Sequence, residues 1–161
     1  MSAAAVAFLA AAAGCGGSSS SPASSLAPAS SGSTPTTAGV RNLVVSDAVR
    51  AQLLAAGAAL HQLPVKDYTG LAKGETYYAY DPSTRTYWAG AALEASPKSM
   101  KAQVGNQDDG AYLDFEKLSS GSWKAYDAGP PGSSNYTCAV TIPAGVVSAW
   151  GWAAGTCHPP S

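Results

Sequence analysis

From Gly16 to Gly39 the chain is almost wholly Ser, Gly, Ala, Pro and Thr, and this tract decides which residues are left to make a fold. Such a composition cannot bury enough apolar surface to offset the entropy lost on ordering. The expectation is a tether, spanning about 25–30 Å as a flexible coil. Of the 161 residues, only 1–15 and 40–161 then remain for structure, which allows one modest domain. Nine Lys+Arg against ten Asp+Glu leave the net charge near zero, so nothing marks a nucleic-acid-binding patch.

Before the tract, Ala3 to Ala13 form an uncharged apolar run with Val6, Phe8 and Leu9 as its bulky members. A membrane-spanning helix needs roughly twenty such residues, about twice what this run supplies. The length suits the hydrophobic region of a signal peptide over residues 1–14. The run closes on Ala12-Ala13-Gly14-Cys15, small residues leading into a cysteine. This ending resembles the lipobox of bacterial lipoproteins, although Ala12 stands where that family commonly has Leu. The resemblance implies a lipid (palmitate among its acyl chains) on Cys15, with residues 15–39 as a lipidated tether. It also implies a location on the extracytoplasmic face of the cell membrane. The alternative is an ordinary secretory signal cut after Ala11–Ala13, which would leave the protein secreted and Cys15 unlipidated.

In residues 40–161, Ser46-Asp47 forms a helix start, with Ser46 as cap and Asp47 favourable to the helix dipole. Val49, Leu53, Ala56, Leu60 and Leu63 recur at helical spacing, and Pro64 ends the pattern. After a loop over 65–74 the period changes to two. Strands are expected at Thr76–Tyr80 and Thr86–Leu93 around the turn Asp81-Pro82-Ser83-Thr84, and at Lys101–Gly105 and Ala111–Leu118 around Asp108-Asp109-Gly110. A last strand is expected over Trp123–Asp127. Five strands in sequential hairpins with one helix on a face make an α+β fold, an N-terminal helix packed on an antiparallel, roughly five-stranded meander. Alternation turns Ala89, Ala91, Leu93, Ala102, Val104, Leu113 and Phe115 towards the helix. Lys101, Gln103, Asp114, Glu116 and Lys124 are expected on the outer side with Trp88, Tyr112 and Tyr126.

Cys138 and Cys157 remain after Cys15 is assigned to the anchor. In an exported chain they suggest a disulfide worth roughly 3 kcal/mol by loop closure. Between them Thr141-Ile142-Pro143 reads as a helix start, with Val146, Val147 and Trp150 on its apolar side. The bridge would staple this short helix to the domain.

Catalytic signals are sparse. His61 and nearby Asp67 offer general-base chemistry, yet no nucleophile elbow accompanies them. Asp108-Asp109-Gly110 with Asn106 has too few oxygen ligands for a calcium loop and reads as a turn, so no metal site and no cofactor are expected. Asp114 and Glu116 share a strand face, where ion pairs with Lys101 and Lys124 are the simpler account. His158 sits among prolines with no partner in sequence. Asn135-Tyr136-Thr137 matches a glycosylation sequon. Trp88, Tyr112 and Tyr126 would form an amphipathic patch on the outer sheet face, unless the C-terminal helix covers it through Trp150 or Trp152.

Tyr77-Tyr78-Ala79-Tyr80-Asp81-Pro82, Tyr87-Trp88-Ala89, Gln107-Asp108-Asp109-Gly110, and Pro143 to Trp152 with Gly155-Thr156-Cys157 resemble small exported proteins of actinobacteria. The similarity spans the whole domain and implies an origin and a compartment, with no activity attached. The functional expectation is a membrane-anchored, non-catalytic module whose partner is an envelope protein, a peptide or a glycan. The alternatives are an envelope hydrolase with an unrecognised site and a purely structural spacer or inhibitor-like domain.

Overall fold

The computed structural model describes residues 39–129 and 137–160, all within the unit Pro35–Ser161. The signal sequence, Cys15, the tether to residue 38 and the sequon residues Asn135 and Tyr136 lie outside them.

The first helix, α1 (Asp47–Leu60), begins where the cap chemistry places it: the Ser46 hydroxyl accepts a hydrogen bond from the Val49 amide at 3.3 Å. Leu53 and Ala58 bury its inner side, whereas Leu60, expected on that side, is exposed at the helix end. Gly57 has a packing reason to be small. A Cβ there would stand 2.8 Å from Leu113 Cδ1 and 2.9 Å from Leu93 Cδ2, so its absence lets the helix lie close on the sheet.

The sheet has six strands, β1 (Arg41–Asn42), β2 (Tyr68–Leu71), β3 (Tyr77–Asp81), β4 (Thr86–Ala95), β5 (Tyr112–Leu118) and β6 (Lys124–Asp127). All pairs are antiparallel, in the order β1-β3-β4-β5-β6, with β2 pairing the far end of β4. β4 is the spine. Its first half pairs β3 from Asp81↔Thr86 to Tyr77↔Gly90, and its last residues pair β2 at Leu71↔Leu93. Two strands escaped the sequence pattern. β1 is two residues long, and β2 sits in the expected loop, with a register shift between Tyr68 and Gly70.

The segment Lys101–Gly105, expected as a strand, belongs to a helix, α2 (Met100–Asp108). Ser99 caps it by accepting from the Ala102 amide at 3.3 Å. Asp109 and Gly110 end it, with Gly110 at a φ of 91°, so these residues stop a helix instead of turning a hairpin. Only Ala102 is buried, and Val104 is exposed at 44 %. Side-chain amides hold this polar helix down: Asn106 Nδ2 donates to the Leu93 carbonyl at 2.7 Å and Gln103 Nε2 to the Ser96 carbonyl at 3.2 Å.

One sheet face and α1 enclose an aliphatic core of Leu53, Ala89, Ala91, Leu93, Leu113 and Phe115. On the other face Trp88, Ala92 and Tyr112 are packed under Ile142, Val146, Val147, Trp150 and Trp152. Those residues come from the third helix, α3 (Ala144–Trp150), and its flanks. α3 begins just after Pro143 and ends on Gly151 in the left-handed region at a φ of 75°. Cys138 and Cys157 form the expected disulfide across this cover. Such a bond fits an oxidising, extracytoplasmic environment. Among the described residues no helix is long and apolar enough to cross a membrane.

Candidate functional site: an aromatic platform beside the first helix

Trp88 and Tyr112, two of the three residues expected on an open patch, are 5 % and 7 % exposed beneath the C-terminal cover. The covered arrangement is therefore the one this face adopts. Tyr126 is half-buried, and its hydroxyl donates to Glu116 Oε2 at 2.9 Å. The ring of Tyr112 forms part of a cavity of about 390 Å³ with Glu75, Tyr77 and His158.

Asp114 is also placed differently from expectation. It is 1 % exposed, and its Oδ1 has no hydrogen-bond partner among the described residues. Burial pushes its carboxyl up to about 8, so it is neutral over most of the physiological range. No lysine pairs with it among the described residues: Lys101 lies on α2, and the Lys124 ammonium sits 4.7 Å from the Tyr126 ring centroid.

His61 meets neither Asp67 nor a free nucleophile. Its Nδ1 lies 2.8 Å from the Tyr68 hydroxyl and its Nε2 3.3 Å from Asp127 Oδ1. These contacts join the end of α1 to β2 and β6. Tyr68 is buried, and desolvation followed by the nearby Asp67 charge raises its hydroxyl above the ordinary tyrosine value. A phenol held that way is a poor nucleophile and a good clamp. Among the described residues no group of His, Cys, Asp and Glu is arranged to hold a metal ion.

The remaining strand aromatics form a half-buried surface on the opposite side of the sheet, beside α1. Strand pairing sets Tyr80 opposite Tyr87, Tyr78 opposite Ala89, and Tyr87 opposite Lys117. These residues share the face that α1 covers further along. Tyr78 and Tyr87 stack with centroids 5.9 Å apart, Tyr80 and Tyr87 lie at 4.7 Å, and Trp123 meets Tyr78 edge-on at 6.0 Å. All four rings are half-buried, so each is seated on the sheet with part of its surface in solvent.

Cations decorate this platform. Lys117 Nζ stands 5.4 Å from the Tyr87 centroid and 5.5 Å from that of Trp123, while the Arg41 guanidinium lies 5.5 Å from Tyr80. Each contact contributes about 0.5–1 kcal/mol at an exposed site. The ion pair found among the described residues is His61–Asp127, so Lys117 and Arg41 have no carboxylate partner there. Two further bonds set the frame. Trp123 Nε1 donates to Gln52 Oε1 of α1 at 3.1 Å, which fixes the indole plane. The Ser119 hydroxyl donates to the Arg85 carbonyl at 2.7 Å, tying the β5–β6 turn to the β3–β4 turn.

Sequence reasoning counted these aromatics in strands but singled out the sheet face that the C-terminal segment covers. No protein-family model matches the chain, and no curated protein or solved structure gives a significant match.

Proposed function

We propose that the protein is an exported lipoprotein, anchored through Cys15, whose domain is a non-catalytic binding module. The observation that carries the binding role is the platform of Tyr78, Tyr80, Tyr87 and Trp123. It combines half-exposed rings with two cations that have no carboxylate partner among the described residues. Rings fixed by strand pairing and by a hydrogen bond to α1 present contact area with little further ordering cost on binding. The Cys138–Cys157 bridge supports an extracytoplasmic location, and the lipobox-like Ala12-Ala13-Gly14-Cys15 supports the anchor. Partners in this reading are the membrane, through the lipid, and an envelope protein, peptide or glycan at the platform.

The test compares wild type with a Tyr80→Ala/Tyr87→Ala variant for retention on separated polysaccharide and protein fractions of the envelope. Retention on one fraction that drops at least several-fold in the variant is expected. Equal retention of the two proteins on every fraction would sink the platform. In the same cells, labelled palmitate should enter the wild type and be lost from Cys15→Ser.

A further inference from the structure

Beside the platform, between α1 and the β5–β6 turn, lies a cavity of about 540 Å³ bounded by Gln52, Ala55, Ala56, Lys117, Ser122 and Trp123. Its size falls inside the range of roughly 300–1,000 Å³ typical of small-ligand sites. We propose that this cavity binds one ring of an acidic saccharide of the hexuronic type, with the sugar against Trp123 and its carboxylate at Lys117. The proposal rests on the binding-module reading and names the ligand class for it.

The chemistry of the wall favours this class. A pyranose presents an apolar C–H surface and a girdle of hydroxyls, so it needs an aromatic surface bordered by side-chain donors and acceptors. Trp123 supplies the first, with its plane already fixed by Gln52 at 3.1 Å. The Gln52 amide nitrogen and the Ser122 hydroxyl supply the second, since neither is used in a hydrogen bond among the described residues. Ala55 and Ala56 leave the α1 wall low, so a ring can approach the indole. Lys117 then decides the charge. Its ammonium is held over two rings at 5.4 and 5.5 Å, a fixed cation at the edge of a cavity without a counter-charge among the described residues. A neutral ring would leave that cation unused, and a carboxylate would complete it with a charge-assisted hydrogen bond. The buried carboxyls Asp81 and Asp114 lie on the other sheet face and do not oppose an anion here.

Calorimetric titration of the purified protein with oligogalacturonate and with neutral maltohexaose tests the assignment. The acidic oligomer is expected to bind at least about tenfold more tightly. Lys117→Gln should erase that preference, and added salt should weaken the acidic ligand alone. Trp123→Ala should remove binding of both. Because Lys117 is a half-exposed strand residue, its variant keeps the fold, which circular dichroism checks. Equal affinity for the two oligomers, or a preference that survives Lys117→Gln, would overturn the acidic-saccharide assignment. If neither oligomer binds while Tyr80→Ala/Tyr87→Ala still loses envelope retention, the assignment falls and the binding module stands. If both experiments are negative, both readings fall.

Discussion

The two faces of this sheet carry aromatic residues under opposite conditions. On the α1 side the buried centre is aliphatic, built on Leu53, Leu93, Leu113 and Phe115, and the rings stand at its open end. On the C-terminal side the rings are the core: Trp88, Tyr112, Trp150 and Trp152 are all buried. The aliphatic side leaves few polar atoms to satisfy. The aromatic side leaves the indole nitrogens of Trp88, Trp150 and Trp152 and Oδ1 of Asp114 without partners among the described residues. Ring area holds that side together against a polar burden, since each unpaired buried group costs about 1–3 kcal/mol. The cover there is correspondingly cross-linked, and the helix on the other side is not. An aromatic cluster in a strand pattern can therefore be core or contact surface, and what separates the two is which element reaches it.

Replacing Phe115 by alanine should give the largest effect, a loss of about 3–5 kcal/mol in denaturant unfolding. Phe115 is fully buried in the aliphatic core, so a loss below about 1 kcal/mol would mean that this side is not the main source of stability.

Asp114 gives a pH-dependent contrast between the faces. Its carboxyl titrates near 8 in the folded protein, against an ordinary value of 3.8, because burial disfavours the charged form. Between those values the folded state holds a proton that the unfolded chain has released. Stability must therefore fall as pH rises from about 4 to about 8 and level off above it. Asp114→Asn should flatten this slope, leaving the variant about 1–3 kcal/mol more stable at pH 8 and near parity at pH 4. Denaturant midpoints at the two pH values decide it. A slope unchanged by the substitution would place its origin elsewhere.

The smallest effects come from a matched pair of glycines. At Gly90 a Cβ would stand 2.6 Å from the Tyr112 hydroxyl and 3.0 Å from Trp152 Cη2, both parts of rings packed under the cover. Gly90→Ala should cost about 1–3 kcal/mol. At Gly57 the close atoms are the methyl ends of Leu113 and Leu93, which can turn aside, and alanine returns about 1 kcal/mol of helix propensity. Gly57→Ala should change stability by less than about 1 kcal/mol. Equal losses at the two sites in thermal unfolding would show that the faces pack with similar rigidity.

What could be read from the residues alone followed the strength of the local signal. Ser46, the four-three spacing from Val49 and Pro64 mark α1 at both ends, and the Tyr/Trp runs around Asp81-Pro82 mark the β3–β4 hairpin. Asp81 accepts from the Ser83 hydroxyl at 2.6 Å and its amide at 2.9 Å, and these bonds hold its carboxyl below the ordinary value. The α2 segment misled because Ala102 and Val104 alternate with polar residues over a stretch too short to separate a period of two from one of 3.6. Ser99, a competent cap, was the evidence against a strand. Asp114 reads as an exposed partner of Glu116 because alternation gives only its face. Whether that face is wet depends on Trp150 and its neighbours, 36 positions away in the case of Trp150. The same non-local dependence hid the platform.

The Cys138–Cys157 bridge has a consequence for durability outside the cell. The segment it encloses contains α3 together with Ile142 and Trp152. A protease that cuts one peptide bond between the two cysteines produces pieces that are still one covalent molecule. The broken ends remain at high effective concentration, and their buried rings hold them in place. Releasing a piece of the cover from between the cysteines takes two cuts, or one cut and a reductant, so this segment is protected by connectivity as well as by packing.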